Sequence, residues 1–107
     1  MISVTVTKQE GEFRRLYMLG HAEYAETDDI VCAAVSALTM NTINAIEAFT
    51  EDRFSVGRDP ERGMIDFQFT DTVSHDSHLL MKALLLGVQQ IADSYGETYV
   101  SLDTQEV

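Results

Sequence analysis

The stretch that decides the fold is residues 29–50, DIVCAAVSALTMNTINAIEAFT. Its apolar residues recur at the spacing of one helical face, and Asp28 or Asp29 is available as an N-cap, so a helix is predicted from Ile30 to about Thr50. The predicted buried stripe consists of Val31, Val35, Leu38, Ile46 and Phe49. Small apolar residues also lie off this stripe in the first half, which is typical of a central helix or of one at a subunit contact.

The sequence before this helix has the pattern of a β-hairpin. Residues 2–7 alternate between apolar and hydroxyl side chains, which predicts a strand with one buried face. A turn centred on Glu10-Gly11 leads to a second strand over residues 13–19. The acidic residues 22–29 have no clear period and are predicted to form an exposed loop between the hairpin and the helix.

The sequence after this helix indicates a second hairpin. Phe54 and Val56 begin a strand, residues 58–63 contain the proline and glycine of a turn, and residues 65–69 alternate again between apolar and polar side chains. The chain therefore repeats the order of strand, turn and strand that precedes the first helix.

The last part of the chain is predicted to be a helix, a short strand and a polar tail. Ser74 or Ser77 caps the helix, and Gly96 is well placed to end it. Its core stripe is predicted to be Leu80, Leu84, Val88, Ile91 and Tyr95. Residues 98–102 are predicted to form the strand and residues 103–107 the tail.

The predicted order of elements is ββαββαβ, in one domain over residues 1–107. A chain of 107 residues is near the usual size of one domain and can bury one modest core. Hairpins separated by long helices, without regular βα alternation, favour an α+β fold. We expect a mainly antiparallel sheet with both helices packed on one face.

Composition limits the partners and the compartment. The net charge of −11 opposes binding to phosphates, so nucleic acid is not an expected partner, whereas a basic protein or peptide is. The start of the chain lacks a basic region followed by a continuous apolar run, so no secretory signal is predicted. No uninterrupted apolar stretch approaches the roughly 20 residues of a membrane span. A cytoplasmic protein is expected.

Cys32 is the single cysteine, so it cannot form an internal disulfide. It falls in the first turn of the predicted helix, where unpaired N–H groups and the helix dipole stabilise a thiolate. His21 ends the preceding strand and is the obvious partner, although carboxylates at positions 28 and 29 would oppose ionisation of the thiol. A lone cysteine in a helix is more often a small core residue, so residue type alone does not predict an enzyme.

Other polar residues give weaker indications. Ser36 lies one turn after Cys32, and its hydroxyl either faces the same site or bonds back to the carbonyl four residues earlier. His75 and His78, with acidic neighbours at 71 and 76, do not make the three- or four-ligand set that zinc normally requires, so no metal site is predicted. Because no phosphate-binding glycine loop is present either, no cofactor is predicted.

Two segments together resemble the signature of the ribosomal-processing cysteine protease family. They are Gly20-His21-Ala22 and, after a short loop, residues 29–38, DIVCAAVSAL. The length of the chain and the predicted ββαββαβ order are also similar to that family. The resemblance covers essentially the whole chain, and its diagnostic part covers the stretch from Gly20 to Leu38.

The resemblance implies a homodimeric endopeptidase that removes a short N-terminal extension from a large-subunit ribosomal protein, cutting after an aromatic residue. It implies Cys32 as nucleophile and His21 as general base, with Ser36, Gly20 and Asp29 binding substrate or supporting this pair. Members often carry glycine where this chain has Thr27-Asp28. That departure bears on how freely the loop opens, because glycine tolerates backbone conformations that threonine does not.

These implications lead to three mechanistic expectations. Backbone N–H groups at the start of the helix would hold the developing oxyanion. The loop over residues 22–29 would close over the substrate, so His21 and Cys32 need not be hydrogen-bonded without it. The composition fits one other function equally well, a non-catalytic acidic dimer that binds a basic ribosomal protein or assembly factor. A metal or redox sensor that uses Cys32 with His21 ranks last, because the sequence lacks a resolving cysteine and sufficient ligands.

Overall fold

A computed structural model describes residues 1–26 and 29–107 of the chain. The predicted ββαββαβ order is confirmed. The elements are β1 (Ile2–Gln9), β2 (Glu12–Leu19), α1 (Ile30–Phe49), β3 (Phe54–Asp59), β4 (Met64–Phe69), α2 (His75–Tyr95) and β5 (Val100–Glu106).

The five strands form one sheet in the order β3-β4-β2-β1-β5. The two hairpins are antiparallel, β2 pairs antiparallel with β4, and only β1 and β5 are parallel. α2 carries the chain from β4 past β2 and β1 to the edge of the sheet, where β5 pairs parallel with β1. The predicted α+β class with a mainly antiparallel sheet is therefore correct.

The turns of the two hairpins have different lengths and geometries. Glu10 and Gly11 both have positive φ, 53° and 77°, as in the type I′ turn that matches the twist of paired strands. The second hairpin closes over residues 60–63, where the N–H of Gly63 donates to the carbonyl of Pro60 at 3.2 Å. This second turn lies beside the end of β2, because the N–H of Gly20 donates to the carbonyl of Arg62 at 3.0 Å.

The core lies between one face of the sheet and both helices. Every strand except the edge strand β3 contributes at least one fully buried side chain to this core. Burial of one valine or leucine side chain stabilises the fold by roughly 1.5–3 kcal/mol relative to an exposed one. The best buried apolar residues include Val4, Val6, Phe13, Leu16, Val31, Ile46, Phe67, Leu84, Val88 and Val100. Gly87 allows close approach of the helices, since a Cβ there would lie 2.9 Å from Leu38 Cδ1.

Two residues that were predicted to be buried on the helical stripes are exposed, so these two predictions are wrong. Phe49, the last residue of α1, is 77% exposed, and its ring lies outside the core. Tyr95 is 40% exposed because its ring packs against Tyr24 instead of the sheet. In their place α1 buries Thr39 and Thr42, whose hydroxyls each donate to the carbonyl four residues earlier at 2.8 Å.

The predicted polar tail is also wrong. Residues 103–106 continue β5 beside β1, and the N–H of Val107 donates to the carbonyl of Lys8 at 2.8 Å. A carboxylate oxygen of Glu106 accepts the N–H of Gly11 at 3.0 Å. Backbone pairing with the open edge of β1 needs no apolar side chains, so hydropathy gave no sign of this strand.

The structure identifies the N-cap residue of each helix, for which the sequence offered two candidates. Asp29 caps α1, and Ser74, not Ser77, caps α2. The other candidate cap of α1, Asp28, lies outside the described residues. By length and composition α1 could also cross a membrane, a test that core helices pass as well. Here one of its faces packs into the core.

Candidate active site

The first turn of α1 is organised by the carboxylate of Asp29. Its Oδ1 accepts the N–H groups of Val31 and Cys32, both at 3.0 Å. Its Oδ2 accepts the N–H groups of Tyr24 at 2.9 Å and Ala25 at 3.3 Å. The N–H of Cys32 and the other backbone donors hold the pKa of Asp29 below its ordinary value. One charged side chain therefore joins the helix start to the loop before it.

Cys32 is held at the junction of helix and loop. Its side chain is partly buried, and its Sγ accepts the N–H of Ala22 at 3.1 Å. Ala22 is itself buried and directly follows His21. This contact fixes the sulfur beside the segment that carries the histidine.

His21 is fixed by the turn between β3 and β4. Its exposed ring bonds through Nε2 to the carbonyl oxygen of Glu61 at 3.0 Å. Gly63 packs directly on this segment: its φ is +62°, and a Cβ there would overlap the carbonyl oxygen of Gly20. The sequence predicted residues 58–63 only as a turn. Its glycine and proline were the signal of a turn, but nothing in them indicated contact with His21.

Four of the predicted site residues meet in one pocket of about 200 Å³: Gly20, His21, Cys32 and Ser36. Most of the rest of its wall is apolar, and Arg58 adds one charged side chain. The apolar lining residues are Ile2, Met18, Val35, Pro60, Met64 and Ile65. The hydroxyl of Ser36 makes no hydrogen bond within residues 1–26 and 29–107, so of the two alternatives for Ser36 the back-bond to the helix carbonyl is absent there. His21 and Cys32 are not hydrogen-bonded to one another.

A second pocket lies on the loop side of the same pair. His21 and Cys32 line it together with Asp29, Glu23 and Glu26, so its character is acidic. The thiol and the imidazole thus stand between an apolar pocket and an acidic one.

The loop after His21 is anchored by aromatic rings. The ring of Tyr24 packs edge-on against Tyr95 at 5.4 Å and against Tyr99 at 5.2 Å. Such pairs contribute roughly 0.5–1.5 kcal/mol beyond the area that they bury. Sequence reasoning missed this cluster because it treated Tyr95 as a core residue.

One mechanistic expectation does not hold in this structure. The N–H groups at the start of α1 were expected to be available to an oxyanion, but Asp29 already accepts those of Val31 and Cys32. The N–H of Ala33 donates to the backbone carbonyl of Asp29 at 3.0 Å. A developing oxyanion would need another donor or a rearranged cap.

The histidines of α2 have ordinary surroundings. His75 contacts Asp76 at 3.2 Å, and His78 packs on the ring of Phe13 with centroids 4.7 Å apart. Residues 1–26 and 29–107 contain no cluster of three or more potential metal ligands.

Comparison with known proteins identifies the family. A family profile described as cysteine protease Prp matches residues 1–101. Ribosomal processing cysteine protease Prp from Staphylococcus aureus is 33% identical over 99 residues, which cover 91% of this chain and 93% of that protein. This chain belongs to the Prp cysteine protease family. It is accordingly a cysteine protease, which argues against a sensor or a non-catalytic adaptor.

Solved structures of Prp have the same fold. Staphylococcus aureus Prp with a covalently linked product peptide superimposes with a TM-score of 0.90 at 31% identity, covering 97% of this chain and 99% of that one. The same enzyme with a substrate peptide gives a TM-score of 0.86 at 30% identity and the same coverage. A protein from Streptococcus mutans gives 0.85 at 29% identity, covering 100% of this chain and 96% of that one.

Proposed function

We propose that this Prp family protease removes a short N-terminal extension from a large-subunit ribosomal protein, with Cys32 as the nucleophile and His21 as the general base. The observation that carries the assignment is that Cys32 is the only cysteine in the chain and shares a pocket with His21. A cysteine protease needs a thiol, and no other residue supplies one.

The reaction proceeds through a thioester. His21 takes the proton of Cys32, and the thiolate attacks the scissile carbonyl carbon to form a tetrahedral intermediate. The C–N bond breaks as His21 returns the proton to the leaving amine. His21 then deprotonates a water molecule, which attacks the thioester carbon to form a second tetrahedral intermediate. This intermediate collapses as the C–S bond breaks, which releases the carboxylate product, and the thiolate takes the proton back from His21.

The apolar pocket is suited to the residue before the scissile bond. An apolar cavity of about 150 Å³ holds benzene in another protein, so a pocket of about 200 Å³ can hold one phenyl ring. Met18, Val35 and Ile65 line it, with Cys32 at the same wall. This size supports cleavage after an aromatic residue.

The charge of the enzyme suits a basic substrate. The net charge of −11 favours encounter with a basic ribosomal protein, and the acidic pocket formed by Glu23, Glu26 and Asp29 adjoins Cys32.

We further propose that the enzyme acts in the cytoplasm as a homodimer. The apolar residues that α1 and α2 expose, Ile30 and Leu86 among them, support a contact between two copies.

Incubation with a synthetic precursor peptide that spans the extension and the start of the mature protein tests the proposal. Cleavage, followed by mass spectrometry, is expected from wild type and from His75→Ala, which replaces an exposed histidine elsewhere. Loss of the general base in His21→Ala is expected to lower kcat by about 10²-fold or more. Cleavage that survives Cys32→Ala rules out this nucleophile. Binding by wild type without cleavage would instead support an adaptor.

A further inference from the structure

We propose that the turn over residues 60–63 positions the catalytic pair, and that the Glu61 carbonyl makes Nδ1 of His21 the nitrogen that takes the proton of Cys32. This inference rests on the proposed role of His21 as the base. It adds which nitrogen acts and what holds the ring. The sequence motifs around His21 and Cys32 indicate neither the acting nitrogen nor the group that holds the ring.

The chemistry of the bond identifies the nitrogen. A backbone carbonyl only accepts hydrogen bonds, so the 3.0 Å contact between His21 Nε2 and the oxygen of Glu61 requires a hydrogen on Nε2. A neutral imidazole has a single N–H, so Nδ1 keeps its lone pair. The S–H bond of Cys32 then breaks as the proton passes to Nδ1, and the ring becomes an imidazolium with hydrogens on both nitrogens.

The Glu61 carbonyl also acts as a third, positioning group beside the nucleophile and the base. In nucleophile and base pairs, a third group usually orients the base and stabilises its positive charge. Within residues 1–26 and 29–107, the ring of His21 has no carboxylate hydrogen-bond partner. The carbonyl dipole of Glu61 supplies both effects, and it does so without an ionisable side chain.

Two further contacts fix the turn relative to His21. The N–H of Gly20 donates to the carbonyl of Arg62 at 3.0 Å, one residue on from Glu61. Gly63 lies so close that a Cβ would overlap the Gly20 carbonyl and come within 3.2 Å of His21 Cε1. On the side of the turn, backbone atoms make these contacts, so a shift of the turn backbone should move the imidazole.

The protonation of the ring is measured first, in wild-type enzyme with ¹⁵N-labelled histidine. At a pH where the rings are neutral, His21 is expected to show a single tautomer with hydrogen on Nε2. Free histidine in the same buffer serves as the reference for a ring that exchanges between tautomers, because Nδ1 of His75 contacts the carboxylate of Asp76 at 3.2 Å. Averaged shifts at His21 like those of free histidine, or a hydrogen on Nδ1, would overturn the proposal. This measurement needs neither substrate nor activity.

The turn itself is tested with Gly63→Ala against Gly11→Ala. Both glycines lie in hairpin turns at positive φ, 62° and 77°, but a Cβ on Gly11 meets nothing within 4 Å. Both variants therefore carry similar backbone strain, and only Gly63→Ala pushes on the segment of His21.

Gly63→Ala is expected to lower kcat at least about tenfold with a smaller change in KM, to move the pH profile of kcat/KM and to yield mixed tautomers at His21. Gly11→Ala is expected to retain the wild-type kcat/KM. A folded Gly63→Ala enzyme with the kcat and His21 spectrum of wild type would refute the role of the turn. If that variant does not fold, the tautomer in wild type decides. Failure of the proposed function would appear separately, as cleavage by Cys32→Ala.

Discussion

The two helices begin with the same kind of capped turn, but the two turns have different uses. Cys32 is the third residue of α1 and Ser77 is the third residue of α2. Cys32 is partly buried and lines two pockets, whereas Ser77 is fully buried and lines neither. The same helical position therefore presents a thiol to a site at one helix and closes the core at the other.

The polar groups around the two caps explain this difference. At α2, the N–H and hydroxyl of Ser74 both donate to Asp52 Oδ2, at 3.0 and 2.7 Å. The hydroxyl of Ser77 donates to Thr50 at 3.4 Å. At α1, the cap residue Asp29 binds the loop after His21 in addition to its own helix. A cap that binds the body of the fold stabilises it, whereas a cap that binds a loop can also control a site.

Alanine substitutions at the third residue of each helix are expected to have the largest effect and to differ in what they change. Cys32→Ala should lower kcat/KM by about 10³-fold or more, because the nucleophile is lost, with little change in the free energy of unfolding. Ser77→Ala should keep the wild-type kcat/KM but lose about 1–3 kcal/mol of unfolding free energy. Peptide cleavage and urea unfolding measure the two quantities. Equal activity losses in both variants would contradict the comparison.

Removal of the two caps should give the next largest difference. Asp29→Ala frees both the helix start and the loop that is bonded through Tyr24 and Ala25, so kcat/KM should fall about tenfold or more. Ser74→Ala should cost about 1 kcal/mol of unfolding free energy and leave kcat/KM unchanged. Asp29→Asn, which keeps one acceptor oxygen, should lie between wild type and Asp29→Ala. Wild-type activity in Asp29→Ala would show that the loop does not depend on this cap.

The acid side of the stability curve tests the α2 cap. Burial raises the pKa of Asp52, but the hydrogen bonds from the N–H and the hydroxyl of Ser74 outweigh it and hold the pKa below the ordinary 3.8. A lowered pKa in the fold contributes stability above about pH 3.8 that is lost as the pH falls through the lowered value. Asp52→Asn should therefore be less stable at pH 7 and lose less stability below pH 4. Urea unfolding between pH 2 and 7 checks this, and an unchanged acid slope would contradict it.

Ser36→Ala should have the smallest effect of the set. Ser36 is exposed, and within the described part of the chain its hydroxyl has no hydrogen-bond partner that removal would leave unsatisfied. Stability should stay within about 0.5 kcal/mol and kcat/KM should fall less than about tenfold. A loss as large as that of Cys32→Ala would place Ser36 in the chemistry itself.

The sequence predicted the framework well because its signals are local. The change from period 2 to a helical period located both hairpins and both helices, and Asp29 and Ser74 were among the predicted caps. Errors arose where packing between distant elements decided the outcome. Tyr95 joins a ring cluster with Tyr24 and Tyr99, and residues 103–106 pair with β1. Neither partner could be identified from periodicity.

The site was predicted in part for the same reason. Gly20, His21, Cys32 and Ser36 were chosen from the sequence, and the fold brings all four to one pocket. Their catalytic and supporting roles stay predictions until the variants above are measured. The contacts that hold His21 were missed, because their atoms belong to the backbone of a turn 40 residues away.

The sequence by itself determined the order of the elements, the capped start of α1 and the identity of the single thiol. These properties follow from side-chain periodicity, capping chemistry and residue type, which act over a few residues. Only the tertiary structure decided that the Glu61 carbonyl bonds to His21 and that Asp29 is shared between helix and loop. A backbone carbonyl is common to every residue, so its partner is set by where the sheet brings two turns together.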